Sequence, residues 1–376
     1  MKIAILSNTL DSFQKPMAAG LKRMFDGIGI EAQILDDGLD ALSTCASIGK
    51  IGSVRSLEMR SKIWAKRMLR ELSYRRLVKR LRRFDVAIVI GHLPVAYYNS
   101  FMDDQRLRRD LPMLPIVLYD LIYLGTNDWW TLRMADRRSD LGVPEGDHMG
   151  LNRYDYHLCV NEANGRPLVR GGAKFSRIGL NIDAPGLQIE EPKEFVALVD
   201  FERPDQMVER AGQIFGCIES GTPFKVLHGR YRMEEIRAIY RSCSVYFVAH
   251  DESFGLPIAE VQACGARVLT PHADWCKAHH ISTDGRSLGV LPENIVSYYN
   301  NKERLVGLLR EMRGNHDAKQ NRLRFLRDHS NFFAGNLEEL RRFVDRINSG
   351  QINARSHLDY PDLPEMVRRF QNRDWE

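Results

Sequence analysis

The chain has little of what marks a specialised protein. Its six cysteines in 376 residues sit singly, at positions 45, 159, 217, 243, 264 and 276, with no CxxC pair. That pattern excludes a zinc ribbon or a disulfide framework, and the cysteines read as small, reduced core residues. No Cys/His set has metal-ligand spacing, so no metal site is expected, and His279-His280 reads as a surface turn. No run of eighteen apolar residues exists, so no transmembrane helix is expected. The apolar part of MKIAILSNTLD is too short for a signal peptide and fits a buried strand. Internal repeats and low-complexity tracts are missing as well. What is left is an ordinary globular composition, 44% hydrophobic and 27% charged, long enough for two domains and expected to be cytoplasmic.

Charge is unevenly spread. Residues 55–83 carry twelve Lys/Arg against two Glu, a local +10 in a chain whose total is +5, so the remainder is net acidic. Trp64, Met68, Leu72, Leu77, Val78 and Leu81 recur there at helical spacing. A basic amphipathic helix suits an anionic partner: a lipid surface, a polyanionic acceptor or nucleic acid. Packing on a sheet, with arginines solvating the outer face, explains the same pattern.

Strands alternate with helices throughout. KIAILSN, IEAQIL, FDVAIVIG, LPIVLYDLIYLG and YDYHLCVN precede a Pro/Gly-rich charged stretch at 183–193. EFVALVDF, FKVLHG, SVYFVA and ARVLT follow it. This order predicts an α/β protein with two Rossmann-like, doubly wound parallel sheets. The expected domains are 1–188, 189–350 and a tail, 351–376, crossing back to the first.

The most informative segment is SVYFVAHDESFGLPIAEVQACGARVLTP, residues 244–271. It reads as strand, polar loop, helix and strand, with Pro257 in the first helical turn and Gly265 ending the helix. Backbone N–H groups of Phe254, Gly255 and Leu256 would then face an anion such as phosphate at the carboxyl edge of a sheet. Gly255 permits close backbone approach. Glu252 and Glu260 suit sugar hydroxyls better than phosphate, whose charge they share. A ribose, a diphosphate and a hexose in line make a nucleotide-sugar. Read blandly, both glutamates are solvated charges flanking an ordinary helix.

ESFGLPIAEVQACGARVL resembles the E-x7-E signature of retaining GT-B glycosyltransferases, in particular the GT4-like family. The likeness extends back through HGRYRMEEIRAIYRSC and more faintly to MKIAILSN, FDVAIVIGH and FSRIGLNID. The resemblance implies a GT-B fold whose two domains face a cleft, with the nucleotide-sugar on the second domain and acceptor contacts on the first. It implies that Glu260 holds the ribose and Glu252, as catalytic residue, faces the donor sugar. The backbone that follows Glu252, at Ser253, Phe254, Gly255 and Leu256, would meet diphosphate and sugar. It also implies retention of configuration, no metal and no cofactor beyond the nucleotide-sugar substrate.

The chain departs from that family in places. VALVDFERPDQ has Asp200-Phe201 where the family's Gly-Arg would fall, leaving Arg203, and less directly Lys225, to neutralise the diphosphate. NTLDSFQKP lacks glycines, and Lys15 would supply charge there. Tyr119-Asp120 stands where relatives have His-Asp; Asp120 is a hydroxyl contact or an N-cap. Arg230 or Tyr231 in HGRY would stack on the nucleobase, or lie in an exposed turn. Trp129 and Trp130 in NDWW suit sugar stacking, a membrane interface or burial under the basic helix.

The expected function is transfer of a sugar from a nucleoside-diphosphate donor to a hydroxyl acceptor, with a lipid-linked or membrane-proximal saccharide leading. The expected site would lie in the cytoplasm, extending to a peripheral position at the inner membrane face. A polyanionic acceptor such as modified nucleic acid, a non-catalytic GT-B-like binding protein, and a GT-B epimerase or phosphorylase are the alternatives.

Overall fold

The computed structural model describes residues 1–8, 13–45, 57–91, 100–102, 104–122, 154–161, 175–183, 186–190, 194–203, 206–252, 254–281 and 289–354. Ser253, Trp129, Trp130 and the expected terminal helix beyond 354 lie outside them.

The chain divides into two compact units, Met1–Ile178 with the residues from Asn336 on, and Gly179–Gly335. In the first unit the elements are β1 (Lys2–Leu6), α1 (Gln14–Gly27), β2 (Glu31–Leu35), α2 (Gly38–Leu42), β3 (Ser43–Cys45) and α3 (Leu57–Leu81). They continue with β4 (Val86–Ile90), β5 (Ser100–Met102), α4 (Asp104–Asp110), β6 (Ile116–Ile122), β7 (Tyr156–Asn161) and β8 (Phe175–Arg177). Six strands form one parallel sheet in the order β2-β1-β4-β6-β7-β8. β3 and β5 pair antiparallel beside it. The VAIVI of β4 is buried at every position, as a central parallel strand covered on both faces requires.

The expected basic helix is present as α3, and its C-terminal half is the part packed into the first unit. Tyr74, Leu77, Val78 and Leu81 are buried. Tyr74 donates its hydroxyl to Asp110 at 2.7 Å, and the Arg106 guanidinium of α4 lies 3.8 Å from the Tyr74 ring centre while bridging to Glu71.

The second unit holds β9 (Ala197–Val199), α5 (Met207–Ser220), β10 (Phe224–Val226), α6 (Met233–Ser242), β11 (Val245–Phe247), α7 (Leu256–Ala263), β12 (Arg267–Thr270) and β13 (Ile295–Ser297). Helices α8 (Lys302–Gly314), α9 (Ala318–Asp328) and α10 (Ser330–Phe333) complete it. Its five strands are all parallel, in the order β10-β9-β11-β12-β13. Ala197, Val199, Val245, Phe247 and Leu269 from the sheet meet Cys217, Leu305, Leu309 and Met312 from α5 and α8 in one core. Cys159, Cys217, Cys243, Cys264 and Cys276 are buried as reduced thiols, in keeping with a core role.

The two units divide at 178/179 and 335/336; the expected bounds are 188/189, from composition, and 350/351, from the resemblance. Hydrogen bonding places the return. The Asn336 N–H donates to the Ile178 carbonyl at 2.7 Å, so α11 (Leu337–Asn348) joins the first unit. There the Ser176 hydroxyl donates to Glu339 at 2.8 Å, and Arg346 bonds to Ser176 at 2.9 Å and to the Tyr156 hydroxyl.

Candidate functional site

In the second unit the sheet winds outward from β9, to β10 on one side and to β11 on the other. The carboxyl ends of β9 and β11 therefore flank a topological switch point, the place where open α/β sheets bind ligands. Asp200 follows β9 directly, and His250 and Glu252 follow β11. Residues fifty apart in sequence thus meet because the strands that carry them pair, Val199 beside Phe247.

The three side chains form a row. His250 Nε2 lies 3.3 Å from Glu252 Oε2, and its Nδ1 lies 3.9 Å from Asp200 Oδ2. Asp200 is buried, and the loss of water pushes its carboxyl above the usual range. The Phe201 N–H and the Tyr246 hydroxyl donate to it and pull the other way. The Glu252 side chain keeps 30% of its exposure, yet enclosure by the protein, reinforced by the Asp200 charge, pushes it up to about 7. Arg203 opposes that rise from nearby.

Gly255 explains how Glu252 is seated. Its φ is +59°, and a Cβ there would lie 2.9 Å from Glu252 Oε2 and 2.7 Å from the Ile258 side chain. Only glycine leaves that space and adopts that conformation without strain. Beyond it, the Ile258 N–H is bonded to the Gly255 carbonyl at 3.0 Å, and Pro257 sits in the first turn of α7. The N–H groups ahead of Ile258 lie outside the helical ladder, at the positive end of the helix.

Glu260 is buried in α7, and its Oε1 accepts from Arg237 of α6 at 3.1 and 3.3 Å. Burial raises its carboxyl and the Arg237 charge counters that. Glu260, expected to hold the ribose, therefore already has a cationic partner on Oε1. Phe254 and Leu256 are buried, so their contribution to any ligand is backbone.

Beneath the loop, Phe254 stacks on His279 with centroids 5.2 Å apart and meets Phe332 edge-on at 5.0 Å. His279 is fully buried, which corrects the surface-turn reading of His279-His280. The chain doubles back at Cys276, in the left-handed region at φ +58°, and this turns the His279 ring inward to bond the Phe254 carbonyl. Desolvation lowers His279 to about 3 and His329, 5.3 Å from it, to about 4.

Of the other expected residues, Arg203 is exposed, close enough to Asp200 and Glu252 to act on both. Arg230 is exposed in the loop after β10, next to Tyr231, whose ring lies 5.9 Å from Phe201. Lys15 and Asp120 belong to the first unit. Lys15 is half-buried in the first turn of α1. Asp120 lies within β6, which removes the N-cap alternative, and burial pushes its carboxyl up to about 7. Asp200 and His250 were missed as site residues. The signal that could have found them was their position, each just past a strand that belongs at the centre of a parallel sheet.

No family model matches the chain, and no curated protein matches it in sequence. Among solved structures it is similar to a Listeria monocytogenes protein named as a UDP-N-acetylglucosamine 2-epimerase, at TM-score 0.50 and 12% identity over 96% of this chain and 100% of that one. It is also similar to the glycotransferase of kitacinnamycin, at TM-score 0.48 and 14% identity over 92% and 98% of the two chains. Anabaena HepE in complex with UDP and glucose gives TM-score 0.47 and 12% identity over 93% and 100%. At such identities the likeness is one of architecture, carried by the first of the three together with the sheets of six and five parallel strands. The chain has the GT-B fold.

Proposed function

We propose that this protein is a glycosyltransferase that moves a sugar from a nucleoside-diphosphate donor to a hydroxyl acceptor, with the donor on the second unit. The observation that carries the reading is the seat of Glu252: a carboxylate over Gly255, at the switch point, immediately ahead of the N-terminus of α7. Acceptor oxygens there suit sugar hydroxyls, and the N–H groups of a helix start beside them suit a diphosphate. Glu252 orients the donor sugar, Glu260 binds the ribose, and the backbone at 253–256 binds the diphosphate. Tyr231, against Phe201, stacks on the base with Arg230 beside it. Arg203 supplies the positive charge that the leaving group needs.

The GT4-like E-x7-E pattern supports transfer with retention and without a metal. The bond from the anomeric carbon to the diphosphate breaks, the acceptor oxygen bonds on the same face, and the departing diphosphate takes the acceptor's proton. The protein's part is positioning and charge stabilisation. Buried Asp200, standing where the resemblance would put a cation, favours one second reading, a protein that binds nucleotide-sugars without turnover.

For the acceptor we propose a lipid-linked or membrane-proximal saccharide, because of α3. Trp64, Met68, Leu69 and Leu72 are exposed ahead of the buried Tyr74–Leu81 set, and Arg75, Arg76, Lys79 and Arg82 are exposed further along the helix. An apolar patch followed by a cationic one matches the surface of an anionic bilayer. No helix among the described residues is long and apolar enough to cross a membrane.

A thermal-shift panel of nucleoside diphosphates and nucleotide-sugars, with EDTA or with Mg²⁺, tests the donor. A rise in Tm with one base, equal in both, is expected. No rise with any of them would overturn the reading.

A further inference from the structure

A diphosphate at this strand edge meets a difficulty: Asp200 and Glu252 are already there, and like charges repel. The structure puts an imidazole between them. His250 side-chain exposure is 14%, and its two ring nitrogens face the two carboxylates, at 3.3 Å and 3.9 Å. We infer that His250 is a positioning residue of the nucleotide-sugar site, fixing the Glu252 carboxylate over Gly255 and taking up a proton when a diphosphate binds. The inference rests on the donor reading above.

With His250 neutral, the row carries up to two negative charges. With both ring nitrogens protonated it carries one, and Arg203 offsets that. Other groups face the row as well. Tyr246 from β11 donates to Asp200, and Tyr240 from α6 has its proton held by burial. Asp251 adds a carboxylate beside Glu252, and the Cys276 thiol, on the loop whose N–H bonds the Glu252 carbonyl, is held protonated by burial. Arg210, of α5, also lies near Asp200. An incoming anion raises the proton affinity of every acceptor it approaches, and His250 is the one between the carboxylates. Glu252, already pushed up to about 7, is the second holder of the same proton.

The test is calorimetry of UDP and the other nucleoside diphosphates binding to the full-length protein near pH 7, in buffers of different ionisation enthalpy. The wild type is expected to take up about one proton per diphosphate bound, so that affinity falls by up to about tenfold per pH unit where the row titrates. His250→Asn is expected to bind more weakly and with clearly reduced uptake, the remainder going to Glu252. Binding with no proton uptake, or unchanged uptake in His250→Asn, would overturn the inference while leaving the donor reading intact. Should no diphosphate bind at all, the donor reading falls. NMR titration of the ligand-free histidine rings then decides the pairing: Glu252→Gln is expected to lower the midpoint of the His250 ring, and an unmoved midpoint overturns it.

Discussion

Gly255 is where the proposed site and stability meet. Its positive φ and the 2.9 Å approach of Glu252 leave an alanine strained and Glu252 displaced. Gly255→Ala is expected to cost about 1–3 kcal/mol, read as a lower Tm, and to weaken nucleotide binding. Glu260 is tested through its partner. Glu260→Ala strands Arg237, whose side chain is only 17% exposed, and is expected to cost about 3 kcal/mol besides weakening binding. Glu260→Gln keeps an acceptor for Arg237 and should recover much of the stability; equal losses in denaturant midpoint would argue against the pairing. Both glutamates stood out in the sequence through the strand, Phe-Gly turn and helix start around them and the resemblance those carry. Their partners did not, since Arg237, His250 and Asp200 reach them only through the sheet and the helix packing.

The pH behaviour of Glu252 follows from its raised carboxyl. Between the ordinary value of 4.5 and about 7 the folded state holds a proton that the unfolded state has released. Its contribution to stability is therefore present at low pH and is lost as pH rises through that window. Glu252→Gln should gain Tm on the wild type between pH 5 and pH 8. A constant difference across that range would contradict the burial argument.

At the scale of elements, the pairing of the Lys277–His279 turn with the α9–α10 junction works in the opposite sense. His279 and His329 stay neutral when folded, down to about 3 and about 4, whereas unfolded rings take a proton below about 6.5. The unfolded state binds more protons there, so stability falls as pH drops from 6.5 toward 4. His329→Phe, which keeps a ring to stack on Phe332, is expected to flatten that acid slope in thermal scans; an unchanged slope would count against it. On α3, Trp64→Glu with Arg75→Glu should abolish pelleting with anionic vesicles at low salt. Wild-type binding should fade as salt rises, and a wild type that never pellets removes the membrane proposal. Strands β1, β4, β6, β9 and β11, and helices α1, α3, α7, α8 and α11, were readable from apolar runs and periodicity. β3, β5 and β13 were not: they are as short as β9 and β11, but no run as apolar as EFVALVDF or SVYFVA surrounds them.

At the scale of the molecule, the second unit is one uninterrupted stretch, Gly179–Gly335, with its own sheet and core. Its ends are tied together: the Leu180 N–H donates to the Asn331 carbonyl at 2.7 Å and the Ile182 N–H to the Phe333 carbonyl at 3.0 Å. A fragment of these residues is expected to unfold in a single cooperative transition and to keep the nucleotide affinity of the full chain. Loss of cooperativity would show that the first unit is needed. The two-sheet architecture was legible because alternation of strand and helix persists along the chain. The point of return was not, since the bond from Asn336 to Ile178 spans 158 positions and leaves no local mark.

That bond has a consequence for the order of events at the ribosome. The first unit begins the chain, but its Tyr156–Ser176 edge waits for Glu339 and Arg346 of α11. The described strands and helices of the inserted unit have all been made once Gly335 has been added. Synthesis therefore delivers the unit proposed to hold the donor while the unit that started before it is still open, and α11 closes that earlier unit afterwards.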